Sequence, residues 1–468
     1  MVFSSASFLF LFLPAIVFGY RLLDRISRKL TNPYLFLASI IFYCWNGPQH
    51  MAILLFSVSA NYFYAVLLSS YSGKKLRKIV LLLAICTNLG LLGYFKYFGF
   101  ILSNVSLVTG KPVSMQELTL PIGISFYTFQ AMSYVIDVYR GTEAIRNPID
   151  LGLYITFFPQ LIAGPIVRFG QIKPFLYDRE IGKQNYYDGA SRFLIGLSKK
   201  VILANNLGEL ADVVFQGGDI ANSSILMLWL AAIAYTLQLY YDFSGYSDMA
   251  IGLGSLFGFQ LPENFNYPYG AASVTDFWRR WHMTLSGWFR DYVYIPLGGS
   301  RKGVVRHICN MLVVWILTGF WHGAAWQFLF WGLAYFTLLV TEKYLIRPER
   351  ISSRGIRFLY RMVTMLFVCL LWVVFRAENL SLAFSIIAAM FGSGENLLLD
   401  PRGMFQMREY AFFLITGVLF AFPVLPALRK RLPVVYHILF SVLLMAGTLV
   451  SVSMLLKDAY NPFLYFQF

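Results

Sequence analysis

Apolar stretches recur from Phe3 to Leu456, separated by short loops whose basic charge comes and goes in alternation. A chain that meets lipid must satisfy its own backbone hydrogen bonds there, which restricts it to helices or a closed barrel. Apolar runs of roughly 20 residues select helices, since that length spans the hydrocarbon core. Composition agrees: 58% of the 468 residues are hydrophobic and 13% charged, against about 25% charged in a soluble domain. Mean hydropathy is +0.61. The expected fold is all-α, a polytopic membrane protein of about 10–12 spans forming one domain over residues 1–468.

Charge in the loops orients the spans, because Lys and Arg accumulate on the cytoplasmic side. Residues 21–30 hold Arg21, Arg25, Arg28 and Lys29 against Asp24, and "SGKKLRK" at 72–78 is basic with no acid. Between them, "WNGPQH" at 45–50 has no Lys or Arg, and loop 96–119 is weakly charged. Further on, 290–307, 342–361 and "RKR" at 429–431 are basic, whereas 391–409 is not. This places the N-terminus outside. The first apolar run lacks a preceding positive region and a small-residue cleavage site, so it reads as a retained span and not a cleaved signal. "LGLYITFFPQLIAGPIVRFG" at 151–170 is interrupted by Pro159, Gly164 and Pro165, and reads as a re-entrant or broken helix packed inside protein.

The net charge of +15 is accounted for by loops facing an anionic leaflet. No zinc finger or basic scaffold supports a nucleic-acid role. Cys44, Cys86, Cys309 and Cys369 stand singly without metal spacing, as small buried hydrophobes do. No GxSxG elbow, P-loop, DxD pair or GxGxxG with a following acid is present, which removes the serine-hydrolase and nucleotide-fold chemistries. His282 and His322 do not begin an H-x4-D motif, since Gly287 and Gln327 hold the Asp place. A zinc site built on the two histidines with Asp242 or Asp248 lacks motif spacing.

Polar groups in the membrane are costly and mark function. "QLYYDFSGYSDMAIGLG" at 238–254 carries Asp242 and Asp248, and "VTDFWRRWHMTLSGWFRDYVYIPLGGSRKG" at 274–303 carries His282. Read as a helix, Thr275, Trp278 and His282 share a face while Arg279 and Arg280 project elsewhere. His282 is then either a working group or an interfacial residue flanked by snorkelling arginines. "GFWHGAAW" at 319–326 sets His322 among small residues. It is either a histidine bonded to a neighbouring helix or a base with space cleared for substrate. A neutral imidazole near pH 7 suits proton removal from a hydroxyl or thiol.

"YSDMAIGLG", "ENFNYPY", "FWRRWHMTLSGWFRDYVYIPLGG" and "GFWHGAAW" resemble the signature blocks of the membrane-bound O-acyltransferase family, in particular its alginate O-acetyltransferase-like bacterial polysaccharide branch. "MVFSSASFLFLFLP", "LGYFKYFGF", "LPIGISFYTFQAMSYVIDVYRG", "FPQLIAGPIVRF" and the closing "NPFLYFQF" extend the resemblance end to end. The resemblance implies a ring of transmembrane helices around a central channel, with His322 as the catalytic histidine and His282 as a second functional one. It implies no bound cofactor or metal and an acyl donor from the cytoplasm, acetyl-coenzyme A, whose phosphates suit arginines. Asp242, Ser244, Asp248, Asn264, Trp278, Arg279, Arg280 and Trp321 are expected along the substrate or donor channel. The final acceptor is an exported polysaccharide, reached through a separate secreted or membrane-anchored SGNH esterase-like partner, and the location is the bacterial inner membrane. D-alanyl transfer to teichoic acid is the alternative. A glycan transporter or flippase is a third reading, against which stands the lack of internal repeats.

Overall fold

The computed structural model describes residues 1–45, 47–111, 119–216, 220 and 222–457. Asn46 in the 45–50 loop, the 112–118 part of loop 96–119 and the closing "NPFLYFQF" lie outside the described residues. Among the described residues every regular element is helical, as expected for a chain whose backbone must be self-satisfied in lipid. Seven helices among the described residues are long and apolar enough to cross a membrane, or eight if Ala411–Phe420 and Val424–Arg431, bent by 60°, count as one span. The larger number expected from the sequence includes shorter helices such as Thr31–Cys44 and Ile124–Tyr139. Ile124–Tyr139 is buried along nearly its whole length, so protein and not bilayer thickness sets its size.

The chain falls into two compact units. The first comprises Met1–Phe193, Ser247–Glu263 and Gly287–Tyr292. Phe3, Phe8, Phe12, Phe42 and Phe158 pack there ring against ring at centroid distances of 5.0 to 6.5 Å. The interrupted stretch folds as Pro148–Thr156, Phe158–Leu161 and Phe169–Tyr177. Residues 150–167 are buried, which is the broken, protein-enclosed segment that Pro159, Gly164 and Pro165 predict. Two buried polar pairs lie in this unit: Asn61 and Asn88 bond each other through their amides, and Asn32 Nδ2 donates to Asp150 Oδ1 at 2.8 Å.

The second unit comprises Leu194–Tyr246, Asn264–Ser286 and Val293–Phe468. Helices Val304–His322 and Trp326–Thr341 form its central hairpin. A Cβ on Gly319 would stand 2.5 Å from the Phe328 carbonyl oxygen, and one on Gly332 2.5 Å from that of Trp315. Only glycine lets these two backbones approach so closely. Helix Arg354–Arg376 packs on the hairpin, and Trp278, Trp315, Trp331, Tyr335 and Trp372 fill the space between. At the periphery, Pro433–Leu456 is almost wholly exposed and apolar, as a lipid-facing helix should be.

Candidate active site

His282 is not on a helix with Trp278. The helix Val274–Trp278 ends, and His282 sits in the turn before Met283–Phe289 with φ +43°. That left-handed conformation is costly for a non-glycine residue and persists only where the surroundings over-determine it. Here they do. Met283 N–H donates to the Asn264 carbonyl at 3.0 Å, and Asn266 N–H donates to the Arg280 carbonyl at 2.9 Å, tying both sides of the turn to residues 264–266.

The Asn264 side chain completes the clamp. Its Oδ1 accepts from Thr284 N–H at 3.3 Å and from Thr284 Oγ1 at 2.9 Å, and lies 3.0 Å from His282 Nδ1. An amide N–H can only donate, so the atom facing it is the acceptor oxygen, and His282 Nδ1 must carry the proton. His282 Nε2 is therefore the basic nitrogen; it is buried and accepts no hydrogen bond from the described residues. The ring is fully buried, with Phe243 edge-on at 4.7 Å and Trp321 at 5.7 Å. Burial first, and His322 second, hold its pKa well below the ordinary histidine value, so the ring is neutral.

His322 is the last residue of Val304–His322 and is 4% exposed. Trp321, Trp331 and Phe375 meet its ring edge to face at 5.0, 5.0 and 5.2 Å. Its place at the carbonyl end of a long helix stabilises positive charge, the charge that a base acquires on taking a proton. The small residues around it do something other than clear space for substrate. A Cβ on Gly323 would lie 2.1 Å from the Phe328 ring, so that gap is already filled by the returning helix.

Asn264, His282, Trp321 and His322 are brought together, with Trp321 against both imidazoles. Other sequence candidates go elsewhere. Trp278 joins Trp315, Trp331 and Tyr335 at 4.8 to 5.6 Å, one ring removed from His322, which Trp331 touches. Asp242 lies 2.5 Å from Lys200 in a buried ion pair, and Ser244, two residues on, is buried as well. Asp248 belongs to the first unit, where it meets Arg192 at 2.6 Å; Arg192 also grips Glu263. Arg280 pairs with Asp276 at 2.9 Å, and Arg279 is exposed. Burial would raise the Asp276 pKa, but the hydrogen bonds from Arg280 and Ala272 and the charges of Arg280 and Arg279 hold it below the usual carboxylate value.

Sequence patterns do not reveal Phe243, Thr284, Trp331 and Phe375, each of which packs on a histidine or bonds the group that holds it. Among the described residues no group of three or more His, Cys, Asp or Glu side chains is placed to hold a metal ion. A neutral, tautomer-fixed imidazole and a second imidazole at a helix carbonyl end, both shielded from water, form a proton-accepting centre suited to acyl transfer onto a hydroxyl.

The model for the membrane-bound O-acyltransferase family matches residues 145–387, a span that includes both histidines. The chain belongs to this family and is an acyltransferase. It is 40% identical over 431 residues to the probable alginate O-acetylase AlgI of Azotobacter vinelandii, covering 90% of this chain and 84% of the relative. It is 37% identical over 424 residues to the peptidoglycan O-acetyltransferase of Helicobacter pylori, covering 84% and 80%. The teichoic acid D-alanyltransferase of Bacillus subtilis is 31% identical over 280 residues, covering 55% of this chain and 69% of that one.

Proposed function

We propose that this chain is an O-acetyltransferase of the bacterial inner membrane that moves acetyl groups from cytoplasmic acetyl-coenzyme A toward an exported polysaccharide. The observation that carries the reading is the pair of buried imidazoles of His282 and His322, both against Trp321. Similarity over most of the chain to proteins named as O-acetylases of alginate and peptidoglycan supports the acetyl group and the glycan class.

In the proposed reaction His322 removes the proton of an acceptor hydroxyl as its oxygen attacks the acetyl carbonyl carbon. The carbon–sulfur bond of the thioester breaks, and the thiolate takes the proton back from the imidazolium. His282, holding its Nε2 lone pair beside this centre, orients the acceptor by accepting a hydrogen bond from a second donor group on it, the reacting hydroxyl's one proton going to His322. General-base assistance of this kind contributes about 10²–10⁴-fold. Exposed Arg279 and the basic loops at 290–307 and 342–361 suit the phosphates of the donor. A separate secreted or membrane-anchored SGNH esterase-like protein would complete delivery to the glycan.

Purified protein in proteoliposomes, given acetyl-labelled coenzyme A with and without such a partner, tests the reading. Label on the acceptor or partner is the expected result. Transfer seen only with a D-alanyl-loaded carrier protein would replace it by D-alanylation, the activity named for the Bacillus subtilis relative.

A further inference from the structure

We propose that Glu342, which neither histidine touches, is a positioning residue that sets the geometry of His282. The inference rests on the role proposed above for that histidine. Glu342 is 2% exposed and opens a π-helical turn, Glu342–Ile346, at the end of helix Trp326–Thr341. Such turns add a residue, re-aim the side chains around them and recur at functional sites.

The carboxylate is fully committed. Oε1 accepts from Val274 N–H at 2.7 Å and from the Tyr360 hydroxyl at 2.7 Å, and Oε2 accepts from Thr275 N–H at 2.7 Å. Val274 and Thr275 open the short helix Val274–Trp278, whose first amides have no partner within the helix. Ser273 Oγ takes the next amide, that of Asp276, and Asp276 Oδ2 accepts from Ala272 N–H. A negative charge at a helix start is favourable, and hydrogen bonds to a carboxylate are among the stronger kind.

The consequence runs along the chain from Thr275 to His282. From Thr275 the backbone makes one turn, buries Phe277, Trp278 and Trp281, and reaches His282 in its left-handed conformation. Asn264 holds that turn from its far side, and Glu342 holds the near side. The helix ending at Glu342 also carries Trp331, whose ring lies against His322. One rigid element therefore locates the support of both histidines, and the π turn is where it reaches across to the His282 segment.

The test pairs kinetics with hydrogen exchange on the full-length protein. Glu342→Gln puts an amide NH2 against a backbone N–H and should lower kcat about 10- to 100-fold, the effect of an ångström-scale misplacement, with donor KM changed less than about threefold. Tyr360→Phe, which removes one hydroxyl and leaves both backbone contacts, should lose only about threefold. In a His282→Ala background Glu342→Gln should cost no more than about twofold further, because residues acting as a unit are not additive. Peptides covering 264–286 should exchange faster in Glu342→Gln while those of Val304–His322 do not. A full additional loss in the His282→Ala background, or faster exchange with undiminished kcat, overturns the positioning role. If Glu342→Gln does not fold, Glu342→Asp, which keeps the charge but shortens its reach to the Val274 and Thr275 amides, is put through the same readouts and decides. Wild-type protein inactive with every acyl donor would overturn the proposed reaction, and the exchange measurement would still decide whether Glu342 holds the His282 segment.

Discussion

The Asn264 side-chain oxygen, 3.0 Å from His282 Nδ1, decides which nitrogen of that imidazole does chemistry. Because the same oxygen accepts from the Thr284 amide, Nδ1 is the protonated nitrogen and Nε2 the basic one. Asn264→Ala removes the side-chain bonds that fix the tautomer and brace the left-handed turn, leaving only its backbone ties, and should lower kcat about 10- to 100-fold. Asn264→Asp keeps the shape but adds a negative charge, which favours imidazolium and raises the His282 pKa. In the wild type, burial keeps that pKa well below the usual value, so the neutral form persists as pH falls through about 6.5. The acid limb of kcat/KM should therefore move to higher pH in Asn264→Asp. Kinetics across the pH range check this, and a limb that stays or moves lower refutes the role of His282 in setting it. The same depressed pKa affects stability with a definite sign. The unfolded chain binds the proton more readily, so stability is present above about 6.5 and is lost as pH drops below it.

His322→Ala should lose most transfer, about 10²–10⁴-fold if general-base assistance is its role. His322→Gln retains a polar group of similar reach but cannot carry the proton, and should be nearly as poor. Donor binding, measured by equilibrium titration with a non-transferable thioether analogue, should change little in either variant, since cytoplasmic arginines and not the imidazole hold the donor's phosphates in the proposed reaction. A glutamine variant transferring at the wild-type rate would reduce His322 to a positioning residue.

The membrane character, the helical fold and the broken 151–170 segment are legible because each follows from local composition: apolar runs, and Pro and Gly at fixed places. His282 and His322 stand out because few ionisable groups interrupt the apolar core. What tertiary pairing supplies is not legible. Asp242 and Asp248 look alike in "YDFSGYSD", six residues apart on one helix, yet Lys200 meets the former and Arg192 the latter in different units. Their partners lie dozens of residues away, and no local pattern encodes such a contact. The periodicity that puts Thr275, Trp278 and His282 on one helical face fails because tertiary bonds from Asn264 end the helix early. Gly319 and Gly323 read as open space from sequence, whereas in the fold they are the contact line of two helices.

The basic alternation of the loops predicts a cytoplasmic 72–78 loop and an external N-terminus. Lys75→Cys in a chain freed of native cysteines should resist an impermeant maleimide in intact cells and react after permeabilisation. Labelling at this position in intact cells would invert the orientation and, with it, the side from which the donor arrives.

Lys200 and Asp242 are 3% and 2% exposed and 2.5 Å apart, an ion pair removed from water within the second unit. Charges so placed are costly to desolvate, and removing one takes from the other its opposite charge, a loss of about 3–5 kcal/mol in buried pairs. Lys200→Met and Asp242→Leu should each lower the thermal stability of the detergent-solubilised protein sharply. The double variant removes both charges and should recover much of the loss, since apolar groups of similar volume often replace buried pairs without penalty. The double variant also separates two roles for Asp242. Phe243, the next residue, packs its ring on His282 at 4.7 Å, so a pair that serves only to seat helix Ile225–Leu256 keeps that contact when both charges go. The expected outcome is a stable double variant with transfer within about threefold of wild type. A double variant as stable as the wild type but unable to transfer acetyl would place Asp242 on the substrate path, the role expected for it from the sequence.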